Sequence, residues 1–225
     1  MRLPEVYNRR VGLYKDGVNE LVVKQIGFDK RILDVGCSEG KLGRYLRQHK
    51  RAAVFGIDVS DRAIKKAKRN LDGAFVLDIE TDRLPFAKKS FDIIICADIL
   101  EHLYDPLVVL EKLKPYLKDG GIFVLSIPNI ANIAVRWNLL WGRFDYRQGG
   151  IMDESHIRFF TNKTVRELIS RAGLTILKMD HTPGFPFFFL QGRALRFSIL
   201  RGLLHRLTKL IPTLFCRQFI VVARP

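Results

Sequence analysis

Residues 31–40, RILDVGCSEG, join an apolar run to a turn that contains two glycines. The apolar run ends at Val35 and is typical of a buried β-strand, while the following residues 41–49 favour a helix. Glycines allow positive φ angles and let a ligand approach the backbone, and the first turn of a helix offers unpaired N–H groups. The loop at residues 36–40 is therefore a candidate binding loop at the end of a strand.

Strands and helices alternate along much of the chain. This order predicts a parallel sheet with right-handed crossovers and helices on both faces. We find no linker and no internal repeat, so we expect a single domain over residues 1–225, with an acceptor-side insertion at 129–161 and a second insertion at 182–215. Predicted strands cover 31–35, 53–59, 74–77, 91–97, 122–127, 174–180 and 218–223, and predicted helices cover 18–26, 41–49, 61–70, 105–117 and 163–172.

The bulk composition excludes several classes of protein. With 225 residues, 48% of them hydrophobic, the chain is long enough for a sizeable core and too apolar for a disordered protein. Its three cysteines are odd in number and lie in apolar segments, which favours reduced thiols over a disulfide framework. No apolar stretch approaches the ~18 residues of a membrane-spanning helix, and the first residues lack the apolar core of a signal peptide. We expect a cytoplasmic protein.

The net charge of +15 is the strongest feature of the composition. Such a charge is typical of proteins that bind nucleic acid, an anionic membrane surface or acidic substrates. The charge is uneven, since residues 181–225 hold seven basic residues and no Asp or Glu. Residues 182–215 predict a basic amphipathic insertion, whose apolar residues gather on one helical face. Three interpretations of residues 185–215 stay open: peripheral contact with the inner face of a membrane or with a lipid-linked substrate, packing or dimerisation, and contact with nucleic acid, which we expect least.

Three kinds of nucleotide-binding loop compete for the turn after the first strand. A phosphate-binding loop needs G-x-x-x-x-G-K-[ST], but three residues separate Gly36 from Gly40. A dinucleotide-binding loop needs G-x-G-x-x-G, whose second and third glycine positions are Ser38 and Lys41 here. A methyl-donor loop of the form D-x-G-x-G-x-G matches Asp34, Gly36 and Gly40, with Ser38 as its one substitution. A bend that needs glycine only for its own backbone is a fourth interpretation.

Acidic residues follow three successive predicted strands. Asp58 ends the second strand, 22 residues after Gly36, where a carboxylate can accept hydrogen bonds from ribose hydroxyls, as it also would in an NAD site. Asp78 and Ile79 follow the third strand, where a carboxylate can accept from an adenine amino group and an apolar side chain can cover the ring. Asp98 follows the fourth strand. Packing alone explains such a group poorly, because acids are usually dispersed over the exposed surface.

The strings LDVGCSEG, GIDVS, LDIETDRLPF and FDIIICADILEHLYDP resemble the class I S-adenosylmethionine-dependent methyltransferases. Within that family the chain is most similar to the ubiquinone-biosynthesis O-methyltransferases and to methyltransferases of bacterial glycan and lipopolysaccharide gene clusters. The resemblance is specific over residues 30–128 and looser beyond them. It implies a Rossmann-like, mostly parallel seven-stranded sheet whose last strand is antiparallel, and S-adenosyl-L-methionine as the cofactor.

The resemblance also implies roles for individual residues. The loop glycines would approach the methionine part of the donor, Asp34 would hold its amino group, and Asp58 would take the ribose. Asp78 with Ile79 would take the adenine, and Ala97 with Asp98 would line the floor beneath the sulfonium. The positions assigned to the cofactor are Asp34, Gly36, Cys37, Gly40, Asp58, Val59, Asp78, Ile79, Ala97 and Asp98.

The acceptor side offers two histidines that could act as a base. A hydroxyl acceptor must lose its proton, whereas the transfer itself is a displacement that mainly needs alignment. His102 follows the fourth strand beside Glu101, and His156 lies in the predicted acceptor-side insertion. For both, hydrogen bonding within a loop or helix cap is the alternative. Asn129, after the fifth strand, is a candidate acceptor contact, and we assign no metal ligands.

Absent motifs narrow the acceptor. The fourth strand ends in Cys96-Ala97-Asp98-Ile99 rather than the N/D-P-P-Y typical of enzymes that methylate an exocyclic amine on a flipped base. The chain also has no Pro-Cys pair, which methylation of pyrimidine carbon 5 typically uses. We therefore expect methylation of an oxygen on a small, sugar- or lipid-linked acceptor. An RNA methyltransferase and a non-catalytic donor-binding scaffold are the alternatives.

Overall fold

The computed structural model describes residues 18–183 and 211–225, together with Arg206, Thr208 and Leu210. Most of the predicted basic amphipathic insertion at 182–215 lies outside the described residues. Within the described part of the chain, no helix has both the length and the apolar character needed to cross a membrane.

One seven-stranded sheet organises the fold, with strand order β3-β2-β1-β4-β5-β7-β6. Neighbouring strands from β3 to β5 are parallel, whereas β7 runs antiparallel to both β5 and β6. This architecture confirms the predicted mostly parallel sheet with an antiparallel last strand. The strands are β1 (Arg31–Val35), β2 (Ala53–Asp58), β3 (Gly73–Val76), β4 (Phe91–Ala97), β5 (Leu117–Pro128), β6 (Thr175–Pro183) and β7 (Cys216–Arg224).

The helices cover both faces of the sheet. They are α1 (Glu20–Lys24), α2 (Lys41–Lys50), α3 (Asp61–Ala67), α4 (Pro106–Leu113), α5 (Ile133–Leu140), α6 (Asn162–Arg171) and α7 (Pro212–Phe215). Two shorter 3₁₀ turns occupy Leu100–His102 and Lys114–Tyr116.

Two apolar clusters, one on each face, hold the sheet between the helices. Because successive strand residues point to opposite faces, Leu33 packs in the cluster that includes α4 and α6, and Ile32 packs in the cluster that includes α1, α2 and α3. A strand covered on both faces needs a continuous apolar run, which explains the sequence of β4.

The connection before β5 corrects the prediction. The helix predicted over 105–117 ends at Leu113, because Pro115 lacks the N–H that a further α-helical turn needs. A 3₁₀ turn replaces that last part, and β5 begins at Leu117, five residues before the predicted strand. The glycine pair at 120–121 lies inside β5 rather than before it.

The segment between β5 and α6 contains helix α5 and a series of turns. Its far end is held to the loop after β4, because the N–H groups of Ile157 and Arg158 both donate to the carbonyl of Glu101 at 3.0 Å. Residues 148–156 are thereby placed beside the carboxyl ends of the strands. Ser60 caps α3, because its side chain accepts the N–H of Ala63.

Candidate functional site

A cleft of about 960 Å³ opens at the carboxyl ends of β1 to β5. The loops after these strands form its floor, as expected at the switch point of a parallel sheet. The turn at 148–156 and the adjoining ends of β6 and β7 form its other wall.

The loop after β1 needs glycine at its first position. Gly36 has a φ of +74°, and a Cβ added there would lie 2.9 Å from Ile99 Cδ1. The N–H groups of Gly36 and Cys37 both donate to the carbonyl of Ile57, which folds the loop over the end of β2. Gly40 also has positive φ, but a Cβ there would meet Leu71 on the side away from the cleft.

Asp58 joins the loops that follow β1 and β2. Its carboxylate accepts the N–H of Ser38 at 2.9 Å and the N–H of Ser60 at 2.8 Å. Burial raises the pKa of Asp58, and these two N–H groups oppose the rise. A carboxylate oxygen has more than one lone pair, so Asp58 can still accept a hydrogen bond from a ligand hydroxyl.

Asp34 is a buried carboxyl group below this floor. Burial and, as the smaller effect, the negative charge of Asp58 together raise its pKa to about 7. A buried acid of this kind is stabilised in its ionised form when a cation comes near. Asp34 and Asp58 together therefore favour the binding of a positively charged ligand group beside the loop at 36–40.

Asp98 stands in a left-handed backbone conformation, with a φ of +54°, directly after β4. Its carboxylate accepts the Ser126 hydroxyl at 3.1 Å and the Gln218 amide at 2.7 Å. Burial raises the pKa of Asp98 to about 6, although the hydrogen bonds and the charge of Arg217 lower it. The antiparallel strand β7 thus supplies part of the cleft wall.

The loop after β3 completes the floor. The Asp78 carboxylate accepts the N–H of Glu80 at 2.9 Å, which turns the chain back toward the cleft. Ile79 is buried, and its carbonyl accepts the ammonium of Lys112 from α4 at 2.7 Å. An apolar side chain and an acid therefore lie side by side at this end of the cleft.

The opposite end of the cleft contains two imidazoles and one carboxylate. Glu101 is buried, and neither of its carboxylate oxygens has a hydrogen-bond partner among the described residues. Its Oε1 lies 3.8 Å from Nε2 of His156, and the rings of His102 and His156 are 4.8 Å apart between centroids. Burial, followed by the charge of Asp98, raises the pKa of Glu101 well above its ordinary value.

The charge of the cleft is opposite to the charge of the chain. In the described part of the chain, Arg217 is the one arginine or lysine that lines the cleft, whereas the whole chain carries a net charge of +15. Such a lining favours a cationic ligand over a phosphate. The acidic residues that line the cleft are Asp58, Asp78, Glu80, Asp98, Glu101 and Asp153.

Comparison with known proteins identifies the family. A family model described as a methyltransferase domain matches residues 7–179. The chain belongs to this family. The identification as a class I S-adenosylmethionine-dependent methyltransferase is thereby confirmed, and S-adenosyl-L-methionine is the cofactor of that class.

Curated relatives of this methyltransferase domain cover only part of its length. A ubiquinone biosynthesis O-methyltransferase of Haemophilus ducreyi is 32% identical over 111 residues, which is 45% of this chain and 47% of the relative. A protein of the same name from Cereibacter sphaeroides is 29% identical over 155 residues, 64% of this chain and 60% of the relative. The chain thus spans about half the length of the curated relatives that it matches.

Solved structures share the fold of the methyltransferase domain. A SAM-dependent methyltransferase from Archaeoglobus fulgidus has a TM-score of 0.63 at 18% identity, covering 99% of this chain and 94% of its own. A Haloferax volcanii methyltransferase in complex with the Trm112 methyltransferase activator also has a TM-score of 0.63 at 18% identity, covering 98% and 93%.

The cleft fits the donor of this methyltransferase family. S-adenosylmethionine carries a sulfonium and an ammonium, and the acidic lining and the buried Asp34 favour such cations. Most of the predicted site residues line the cleft, which brings together chain positions more than 100 residues apart. These residues are Gly36, Asp58, Val59, Asp78, Ile79, Ala97, Asp98, His102 and His156.

Four predicted site residues do not line the cleft. Asp34 is buried in β1, and Gly40 ends the loop beside Leu71. Cys37 packs so closely on β2 that a Cβ added at Gly56 would be 2.5 Å from its sulfur. Asn129 is fully buried, and its amide donates to the carbonyl of Cys216 at 3.0 Å. In the structure Asn129 thus joins β5 to β7 and does not line the cleft, and its contact with an acceptor stays a prediction.

The cleft also contains residues that were not predicted as site residues. Arg217 and Gln218 belong to β7, and no local sequence motif predicts that they line the cleft. Asp153 holds the turn after α5, because its carboxylate accepts the N–H groups of Gly149 at 2.6 Å and Ser155 at 2.8 Å. Glu101 could have been predicted as a site residue, since it stands beside the predicted site residue His102 shortly after a strand.

Proposed function

We propose that the chain transfers a methyl group from S-adenosylmethionine to an oxygen of a small, sugar- or lipid-linked acceptor. The observation that carries this proposal is the buried group of Glu101, His102 and His156 in the wall of the cleft that also contains Asp58 and Asp98. A hydroxyl must lose its proton to attack a methyl group, and this group of side chains is placed to assist that loss.

In this proposal the donor occupies the floor of the cleft. Asp58 accepts from the ribose hydroxyls, Asp78 and Ile79 receive the adenine, and Asp34 favours the ammonium of the methionine part. Ala97 and Asp98 lie beneath the sulfonium, between the donor and the two histidines. Transfer is then a direct displacement: the acceptor oxygen forms a bond to the methyl carbon while the bond between that carbon and the sulfonium sulfur breaks.

An apolar surface near the cleft supports a lipid-linked acceptor. The side chains of Trp137, Leu140 and Trp141 are 60%, 77% and 66% exposed on and just after α5. Phe144 and Tyr146 continue the surface toward the turn at 148–156 that lines the cleft. Exposed apolar side chains that adjoin one another mark contact sites for apolar partners. The curated relatives named for ubiquinone biosynthesis are consistent with this class of acceptor.

A methyl-transfer screen tests the proposed function. The protein is incubated with donor labelled in its methyl group and with glycan, quinone-like and lipid extracts, and label in each product fraction is measured. We expect label in a glycan or lipid fraction with wild type and none with Asp58→Ala. The proposal would be wrong if neither the donor nor its demethylated product raised the melting temperature of the protein in a thermal-shift assay.

RNA is the second candidate acceptor, and the net charge of +15 favours it. The acidic lining of the cleft opposes it, because phosphates and carboxylates repel each other. Binding to RNA and to anionic liposomes, each titrated with salt, separates the two classes of partner. Peripheral membrane contact through residues 185–215 stays a prediction, since most of these residues lie outside the described part of the chain.

A further inference from the structure

A groove lined by arginines lies at the edge of the sheet opposite the cleft. It has a volume of about 550 Å³ and runs between α2 and the residues that follow α3. Ala52 directly precedes β2 and Asp72 directly precedes β3, so the groove adjoins the amino ends of these parallel strands, whereas the cleft opens at the carboxyl ends. The charged residues that line the groove are Arg44, Arg47, Arg51, Arg69 and Asp72.

Three of these arginines follow one another along α2 and the residue after it. Arg44, Arg47 and Arg51 are separated by three and four residues, a spacing that places side chains on one face of a helix. Successive turns of a helix are about 5.4 Å apart, so the three guanidinium groups can meet a ligand at successive points. Arg69 belongs to the segment that follows α3 and lines the same groove.

The guanidinium of Arg47 is already held in position. It donates to the carbonyl of Asn70 at 2.9 Å and pairs with the carboxylate of Asp72 at 3.0 Å. The same carboxylate also accepts the backbone N–H of Val54 at 2.7 Å. Asp72 is therefore engaged in orienting Arg47 and in holding β2, and the other three arginines have no further acid in the lining of the groove.

Two of the other arginines have no counter-charge. Arg44 and Arg69 are exposed, and neither guanidinium makes an ion pair or a hydrogen bond within the part of the chain that the structure describes. Arg51 pairs with Asp29, a residue outside the groove, at 2.6 Å. Like charges that share one groove repel each other, so an anion in the groove relieves this repulsion.

We propose that the groove binds a small ligand that carries two or more linked phosphate groups. A guanidinium is always charged, and its planar fork of N–H donors matches the oxygens of a phosphate. Linked phosphates occupy more of the row of arginines than a single phosphate does. The volume of the groove lies in the range of ~300–1,000 Å³ that is typical of small-ligand sites. A free polyphosphate and a nucleotide share this chemistry.

The position of the groove separates this ligand from the donor and from a membrane. The donor and the acceptor belong to the cleft at the carboxyl ends of the strands, so a ligand in the groove does not compete with them. The exposed Trp137 and Trp141 lie on and just after α5, which follows the carboxyl end of β5. A flat membrane that contacts these tryptophans at one edge of the sheet does not reach the arginines at the other edge.

Isothermal titration with pyrophosphate, at constant ionic strength, tests the site. Wild type should bind pyrophosphate, and the double variant Arg44→Ala with Arg69→Ala should bind it at least tenfold more weakly. The double variant Arg83→Ala with Arg171→Ala is the matched control, because it removes two exposed arginines that line neither the groove nor the cleft. It has the same net charge and should bind pyrophosphate as wild type does.

Titration with ADP distinguishes the two sources of linked phosphates. A dissociation constant equal to that of pyrophosphate would assign the site to the phosphates alone, and a lower one would assign it to a nucleotide. Arg44→Ala with Arg69→Ala should keep the melting temperature of wild type, because neither side chain has an ion pair or a hydrogen bond to lose. Thermal shift by S-adenosylmethionine, which should be the same in all three proteins, reports separately on the proposed function.

Four results would overturn the proposal. The first is no binding of pyrophosphate by wild type, and the second is equal affinity in wild type and in Arg44→Ala with Arg69→Ala. The third is an equal loss of affinity in both double variants, which would show that net charge alone attracts the anion. The fourth is loss of binding to single-stranded RNA or to anionic vesicles in Arg44→Ala with Arg69→Ala, when wild type binds these partners and not pyrophosphate.

Discussion

The carboxylate of Asp58 accepts the backbone N–H of Ser38 at 2.9 Å, so the last residue of β2 holds the loop that follows β1. The loop and the carboxylate are therefore one unit, so a change in Asp58 should alter the shape of the loop as well as the proposed contact with the donor ribose.

Substitution of Asp58 by Asn should weaken donor binding at least tenfold. An Asn side chain has one acceptor oxygen, so it cannot accept from Ser38 and Ser60 and also from both ribose hydroxyls. Isothermal titration with S-adenosylmethionine measures the effect. Asp119→Asn, in an exposed ion pair with Lys89, is the control and should bind the donor as wild type does.

Gly36→Ala should destabilise the fold more than Gly120→Ala. Both glycines have a φ near +75°, so an added methyl group costs both about 1 kcal/mol in backbone strain. At Gly36 the new Cβ meets Ile99 Cδ1 at 2.9 Å, whereas no atom of the described residues lies within 4 Å of a Cβ at Gly120. The clash should add about 1–3 kcal/mol. Urea unfolding measures both variants, and equal losses of stability would contradict the close approach.

Asp34 should make the donor-free protein less stable as pH rises. The folded protein keeps a proton on Asp34 up to about pH 7, whereas the unfolded chain releases it near pH 4. Between these values the folded state binds more protons, so the free energy of unfolding falls with rising pH, by up to about 4 kcal/mol from this group. Urea unfolding at pH 5 and pH 8 should show this fall in wild type and a smaller one in Asp34→Asn. Equal falls would show that Asp34 is ionised throughout.

The exposed tryptophans of α5 and the residue after it should affect the acceptor and not the donor. Trp137→Ser together with Trp141→Ser should raise the KM for a lipid-linked acceptor several-fold, because apolar contact area is lost. The affinity for S-adenosylmethionine should stay unchanged. Phe28→Ser, which removes another aromatic ring that is 56% exposed and does not line the cleft, should change neither value. An unchanged KM in the double variant would place the acceptor elsewhere.

The sequence predicted the parallel part of the sheet well, because its signals are local. The strands β1 and β4 match the predicted residues, since each is a short, mostly apolar segment that is followed by a turn. The predicted start of β5 was wrong. A glycine pair such as 120–121 is typical of the end of a helix, but here it lies within the strand. There the pairing of Leu117 with Phe91 overrides the local preference for a turn.

The candidate site was predictable where it follows the parallel strands and not where it depends on distant pairing. Asp58, Asp78 and Asp98 stand at strand ends, and the rule for parallel sheets places them in one cleft. Gln218 reaches Asp98 across 120 residues of chain, through the register of an antiparallel strand. Register of this kind depends on the packed sheet rather than on a local pattern.

The position of β7 between β5 and β6 also bears on how the protein is made. A nascent chain that has not yet reached residue 216 leaves the edge of β5 unpaired, and β6 has no neighbour through which to join the sheet. Unpaired strand edges are prone to pair with other chains, so this stage of synthesis is the one most exposed to aggregation. Such a chain also lacks Arg217 and Gln218, and with them part of one wall of the cleft. The complete cleft and the complete sheet therefore both require the synthesis of β7.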